Sequence, residues 1–169
     1  YRTGGRYVSY ESVKGGFGAR PNKDGINALS SGIANTMNTP IEALEMSFPL
    51  RVDCYELIPD SGGQGKYRGG LGARRAWTVL EKTARATVCM ERTKSPPFGV
   101  SGGGSGRLGK ATLRLPNGTE QSLPSKGAFD VPAGGQVILE APGSGGYGDE
   151  AERDQAANES DIEDGYVTN

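Results

Sequence analysis

The polar side chains best placed to do chemistry in this chain sit next to glycines. Glu11 closes an alternating stretch just ahead of "KGGFG" at 14–18. A carboxylate at such a junction can orient water or a metal ligand, or it can be a plain surface residue of a strand. Asp24 precedes Gly25 in "PNKDG", where an aspartate ordinarily caps its own turn. Asn35 and Thr36 can donate hydrogen bonds to a carbonyl or a phosphate, although a helix N-cap uses the same groups. Glu42 and Glu45 share a face if Pro40 starts a helix and oppose each other in a strand. Either way they are slender grounds for an acid–base pair. Arg68, Arg74 and Arg75 suit an anionic intermediate or an acidic partner surface, with solvation as the ordinary alternative. Tyr55 and Trp77 read as core rather than as platforms for a substrate. The usual general base is missing altogether, because the chain has no histidine.

One loop looks like a phosphate cradle. "GGGSGRLGKAT" (102–112) spaces Gly104 and Gly109-Lys110 as G-x-x-x-x-G-K. In a nucleotide-binding loop the glycine backbone wraps the phosphates, and a hydroxyl directly after the Lys holds Mg²⁺. Here that position is Ala111, and the Thr112 hydroxyl comes one residue late. The preceding "KSPPFGVSG" carries two prolines, which a central strand does not accept. The following "KATLRLPNGTEQSL" alternates like a strand instead of opening a helix. The loop therefore reads as a connection between strands.

Short strands must position these groups. Residues 6–13 alternate and read as a strand, and 14–25 as a long glycine loop ending in a turn. Residues 26–31 allow a short helix. Pro49 splits 40–60 into two strands, and 61–72 is a second glycine loop. Residues 73–82 and 84–93 read as a hairpin turning near Lys82-Thr83. After a third glycine loop, Asn117-Gly118 is a strong hairpin signal, and 135–143 closes the pattern. The expected class is mainly β, with α+β as the alternative: short strands and hairpins joined by long glycine-rich loops, then a short acidic C-terminal segment. A single β-rich domain is expected over 1–148, with an acidic tail over 149–169 that is frayed or packed on a partner.

Composition supports many turns. Glycine, 28 of 169 residues, is well over twice its usual share of roughly 7%. It punctuates strand-like segments rather than forming one low-complexity block. Hydrophobic content is only 34%, so the core should be thin and partly shared with another chain. The charges are segregated. From residue 149 onward there are eight acidic residues and Arg153 as the single base, leaving 18 of the 19 Lys/Arg and 12 of the 20 Asp/Glu in the body, a balance of +6. "KYRGGLGARR" (66–75) resembles an RGG segment, but it is one patch flanked by strand patterns, so no nucleic-acid partner is expected. Cys54 and Cys89 have no metal spacing and read as buried free thiols. No apolar run approaches the ~20 residues of a membrane span, no signal peptide is read, and a cytoplasmic location is expected. The chain opens in "YRTGGRYVSYES" without an initiating Met, as an excised piece of something longer would.

Taken together, "RYVSYESVKGGFGARPNKDG", "NTMNTPIEALE", "PLRVDCYELIPDSGGQGKYRGGLG", "PPFGVSGG" and "APGSGGYGDEAERD" resemble the C-terminal part of the hydantoinase B/oxoprolinase family, from about residue 7 to 166. The most specific piece is "PDSGGQGKYRGGLG" (59–72). The resemblance implies a portion of the B-type subunit of an ATP-dependent cyclic amidohydrolase, opening hydantoins, 5-oxoproline or related lactams. It implies an A-type partner that binds ATP and Mg and activates the amide by phosphorylation, while the B-type chain helps water reach the carbonyl. Related assemblies carboxylate ketones such as acetone or acetophenone, so a carboxylase subunit is one alternative and a non-catalytic docking domain another. Divalent-metal ligands of the family lie chiefly in an N-terminal region absent here, so no cofactor or metal is expected on this chain, which alone should be inactive. The implied partners are the A-type subunit and the N-terminal remainder of the B-type chain, with neither nucleic acid nor membrane.

Within the matched motifs, Glu11, Asp24, Asn35 and Thr36 are the candidate catalytic residues. Gly15, Gly16, Arg68 and Arg75 are the candidate contacts with substrate or partner. There is one departure. Where many relatives read H-x-x-N-T before P-x-E, this chain has Gly32-Ile33-Ala34-Asn35-Thr36. If that histidine serves hydrolytic members, its absence favours a carboxylase or a specialised member.

Overall fold

A computed structural model describes residues 7–30, 34 and 36–168. Its elements, in order, are α1 (Ile41–Ser47), β1 (Leu50–Leu57), β2 (Ala73–Val79), β3 (Ala84–Cys89), β4 (Lys110–Arg114), β5 (Glu120–Ser122), β6 (Lys126–Val131), β7 (Gln136–Glu140), a 3₁₀ turn (Glu150–Glu152) and α2 (Gln155–Glu163). The chain is mainly β, as the alternation predicts. Five strands make one antiparallel sheet in the order β1-β2-β7-β4-β5, and β3 pairs with β6 in a second.

Strand alternation gives the larger sheet two unlike faces. Val79, Val137 and Leu113 lie on one face and bury against Val131 of β6, with Leu50, Phe129 and Leu139 packed around them. The other face carries rows of charge. Glu56, Arg74, Glu140 and Lys110 stand in register across β1, β2, β7 and β4. Arg74 reaches Glu56 at 2.8 Å and Glu140 at 2.7 Å. Beside this row, the Asp53 carboxylate accepts from Thr78 Oγ1 and Gln136 Nε2, each at 2.6 Å. This face is not simply open to water, since Ala76, Thr78, Thr112 and Glu140 on it are buried.

A second body of structure buries few apolar side chains, Leu71 and Ala141 among them. Segments 14–29, 61–72, 97–106 and 141–148 lie outside the named strands and helices, run beside one another and join through their backbones. Gly16 N–H donates to Pro142 O (3.0 Å), Gly70 to Phe17 O (3.0 Å), Gly63 to Ser144 O (2.7 Å) and Gly104 to Gln64 O (2.7 Å). The segments lie so close that a methyl group at Gly16 would overlap the Gly70 carbonyl, and one at Gly143 the Ser61 carbonyl. None of these glycines has a positive φ. They are required for close approach, and what they approach is this chain's own backbone.

Several local expectations change. Residues 7–13 keep their alternation, with Val8 and Tyr10 exposed, but pair with no strand among the described residues. Residues 26–30 hold a turn rather than a helix. The first half of 40–60 is helix α1, since Pro40 precedes it and "IEALEM" is rich in helix formers. Phe48, held extended ahead of Pro49, ends it. The chain does turn at Lys82 (φ 55°), yet β2 and β3 do not form a hairpin. Both edges of β2 are taken by β1 and β7, so β3 crosses to β6. The β4–β5 hairpin forms as read, with Gly118 at φ 85° and Asn117 Oδ1 accepting from Thr119 N–H (3.0 Å). Cys54 is half-buried, whereas Cys89 is exposed on β3 rather than buried.

Candidate functional site

Two buried arginines organise the polar interior. Arg75 lies on the core face of β2, opposite Tyr55 in register and two residues from Trp77. It is fully buried. Its guanidinium sits 5.1 Å from the ring centres of both aromatics, and Nη1 donates to Glu11 Oε2 at 2.8 Å. Two aromatic faces and one carboxylate offset the cost of removing this cation from water. Nε is buried with no hydrogen-bond partner. Tyr55 itself is fixed by Asn38, whose Nδ2 donates to its hydroxyl at 2.7 Å.

The second arginine, Arg68, belongs to the glycine body. Nε donates to Asp161 Oδ2 (3.0 Å), and Nη1 to Gly69 O (2.8 Å) and Asn27 Oδ1 (3.3 Å). The ring of Tyr166 covers it at 5.2 Å. Asp161 also accepts from Arg153, which grips both oxygens of Asp24 at 3.0 and 3.1 Å. The Arg68 backbone N–H then donates to Asp24 Oδ1 at 2.6 Å, closing a circuit of two acids and two arginines. Burial alone would raise the Asp24 carboxyl, but the bonds from Arg153 and from the Arg68 backbone outweigh it and hold the group below its ordinary value. An aspartate so stabilised as an anion is a poor proton acceptor near neutral pH.

The acidic tail is therefore not frayed in this structure. Its one base, Arg153, and the one buried residue of α2, Asp161, pin it to the glycine body. Thr168 finishes the wrap, donating from N and Oγ1 to Asp60, whose carboxyl these bonds hold low. Between tail and loops lies a cavity of about 400 Å³, lined by Asp60, Gln64, Arg68, Ser105 and Tyr166 among others.

The residues singled out in the sequence fall into these clusters unevenly. Glu11 meets Arg75, and Asp24 meets Arg68; neither arginine is solvated. Gly15 and Gly16 contact the chain's own backbone, Gly15 O accepting from Leu29 N–H (3.0 Å). Thr36 is exposed, and Asn35 lies outside the described residues. Glu42 and Glu45 do share a helix, but Glu45 is taken by the Val52 N–H at 2.7 Å. Arg153 falls within the "APGSGGYGDEAERD" stretch and stands out as the isolated base among eight acids, yet neither it nor Asp161 is singled out by motif as a site residue.

The G-x-x-x-x-G-K loop does not form a phosphate cradle. The N–H groups of Gly103, Gly104, Gly106 and Gly109 donate to Val100, Gln64, Pro97 and Arg92 carbonyls, and Lys110 opens strand β4. Among the described residues no three His, Cys, Asp or Glu side chains converge as a metal site, and no helix is long and apolar enough to cross a membrane.

Comparison with known proteins agrees with the motif reading. The profile described as hydantoinase B/oxoprolinase matches residues 1–150. The chain is 36% identical over 165 residues to a protein of a Pseudomonas species (strain NS671) described as the B-type subunit of a D-/L-hydantoinase, covering 96% of this chain and 28% of that protein. It superimposes on the crystal structure of the ATP-dependent caprolactamase of Pseudomonas jessenii with a TM-score of 0.83 at 32% identity, over 93% of this chain and 28% of the other. The nucleotide-free structure of an acetone carboxylase shares the fold, with a TM-score of 0.71 at 21% identity, over 92% of this chain and 25% of that one. The chain thus spans about a quarter of the length of each of these three proteins. With its motifs, its fold and the matched profile in agreement, the chain belongs to the hydantoinase B/oxoprolinase family.

Proposed function

We propose that this chain is the C-terminal portion of the B-type subunit of an ATP-dependent cyclic amidohydrolase, working with an A-type subunit that holds ATP and Mg. The observation that carries this reading is the likeness in both sequence and fold, over nearly the whole chain, to a protein described as an ATP-dependent caprolactamase. A lactam amide is unstrained enough that its opening in water gains little, so activation by ATP suits the substrate class. Divalent-metal chemistry, in this reading, belongs to the preceding part of the longer chain.

The contribution of this portion is positional. Glu11 and Asp24 are each committed to a buried arginine, and a committed carboxylate fixes backbone rather than moving protons. Their role here is to hold the glycine segments and the N-terminal strand-like stretch in place beside the reacting groups. Asn35 and Thr36 stay candidates for direct contact with a carbonyl. The test is reconstitution of the full B-type chain with an A-type subunit and an assay of caprolactam, hydantoin and 5-oxoproline opening. Turnover of at least one, dependent on ATP, is expected. Turnover without ATP, or turnover only of a ketone with bicarbonate, overturns the proposal.

A further inference from the structure

Arg68 is only 6% exposed, yet its hydrogen bonding is incomplete. Nε and Nη1 are committed to Asp161, Gly69 and Asn27, whereas Nη2 has no partner among the described residues. Polar groups removed from water are ordinarily satisfied, so an unused arm on a buried guanidinium calls for an acceptor. Arg68 is also one of the residues lining the cavity of about 400 Å³ between the tail and the glycine loops, a size that suits a small molecule. Asp60 stands on the same cavity. Thr168 donates to each of its oxygens, and an ionised carboxylate with about four acceptor positions keeps capacity beyond those two bonds. Tyr166 and Val167 add an apolar wall.

Charge decides the kind of ligand. In and behind the cavity wall the acids Asp24, Asp60 and Asp161 outnumber the bases Arg68 and Arg153 by one. A simple anion such as phosphate would meet that excess of negative charge. A simple amine would leave the Arg68 arm unused. A carboxylate and an ammonium on one short carbon chain answer both groups, each through a charge-assisted hydrogen bond. We propose that the cavity under the C-terminal tail binds a small zwitterionic amino acid, its carboxylate held by Arg68 and its ammonium by Asp60, with Tyr166 and Val167 against the carbon chain. Opening a lactam with water creates these two groups on one molecule, so on the amidohydrolase reading the occupant is the released product. That identification alone rests on the reading; the site itself does not.

Titration calorimetry on the full-length B-type chain, without ATP or A-type subunit, tests it. The probes are 6-aminohexanoate, 4-aminobutyrate and leucine, against hexanoate, hexylamine and intact caprolactam. At least one amino acid should saturate, at least tenfold more tightly than each control. Asp60→Asn suits the φ of 57° at this position and keeps an acceptor for the Thr168 N–H, and it should erase the preference for 6-aminohexanoate over hexanoate. Ser105→Trp, at an exposed position lining the cavity, should abolish binding by filling it. Two variants are used so that a folding failure in one, seen in its melting temperature, leaves the other to decide. No saturation by any of the amino acids, or hexanoate or caprolactam binding as tightly, overturns the proposal on the unaltered protein alone. Undiminished binding in a folded variant overturns it too, because the site then lies elsewhere in the longer chain. Because no turnover is measured, failure of the amidohydrolase reading would leave this result unaffected.

Discussion

Asp161 carries more of the structure than any other acid in the tail. It is shared by Arg68 and Arg153, both nearly out of solvent. Removing one partner from a buried ionic group leaves uncompensated charge, typically costing about 3–5 kcal/mol. Asp161→Ala should therefore lower the urea midpoint markedly, whereas Asp164→Ala, at an exposed position of the same tail, should leave it almost unchanged. Asp24 adds a pH dependence. Its carboxyl is held below the ordinary value of roughly 3.9, so its contribution is whole above that pH. It is lost as pH falls from there through the folded-state value. Urea titrations between pH 6 and pH 2 should show stability falling across that window. Asp24→Asn should be less stable at pH 6 and flatter below it. Sequence reading singled out Asp24, Arg68, Arg75 and Glu11 because they lie within or beside glycine-bearing motifs. It passed over Asp161, which is 93 residues from Arg68, and Arg153, which is 129 residues from Asp24, because partners so distant leave no trace in local pattern.

At the level of elements, the glycine segments are the least tolerant part. Gly16→Ala would drive a methyl into the Gly70 carbonyl and Gly143→Ala into that of Ser61, both backbone atoms with nowhere to go. Each should cost at least about 3 kcal/mol, the upper end of overpacking penalties. Gly18 lies in the same run but meets nothing within 4 Å. Gly18→Ala should be neutral or stabilising by up to ~1 kcal/mol through the unfolded state. Circular dichroism melts of the three variants make the comparison. Several strands were legible from alternation, although the same reading makes strands of 6–13 and the first half of 40–60 and passes over β6. The Asn117-Gly118 hairpin was legible from its turn chemistry. The pairing of β3 with β6 was not, since nothing local tells a strand that its neighbour's edges are already filled. The glycine runs were legible as loops only. Packing of backbone on backbone leaves no apolar period to read.

The whole molecule divides its cohesion between a small apolar core, in which Val79, Leu113, Val131 and Val137 are the buried centre, and an array of extended segments joined by peptide hydrogen bonds. Unfolding these two parts exposes different surfaces to water. Apolar surface raises the heat capacity on exposure and peptide surface lowers it, so ordinary domains gain about 12–15 cal/mol/K per residue. A fold in which so much of the interior is bare backbone should gain distinctly less. Its stability curve should then be flatter, with stability changing slowly between cold and warm. Scanning calorimetry of the chain at several pH values measures this increment directly from the dependence of unfolding enthalpy on melting temperature. A value inside the ordinary range would mean that the glycine array contributes little cohesion of its own and is carried by the sheets.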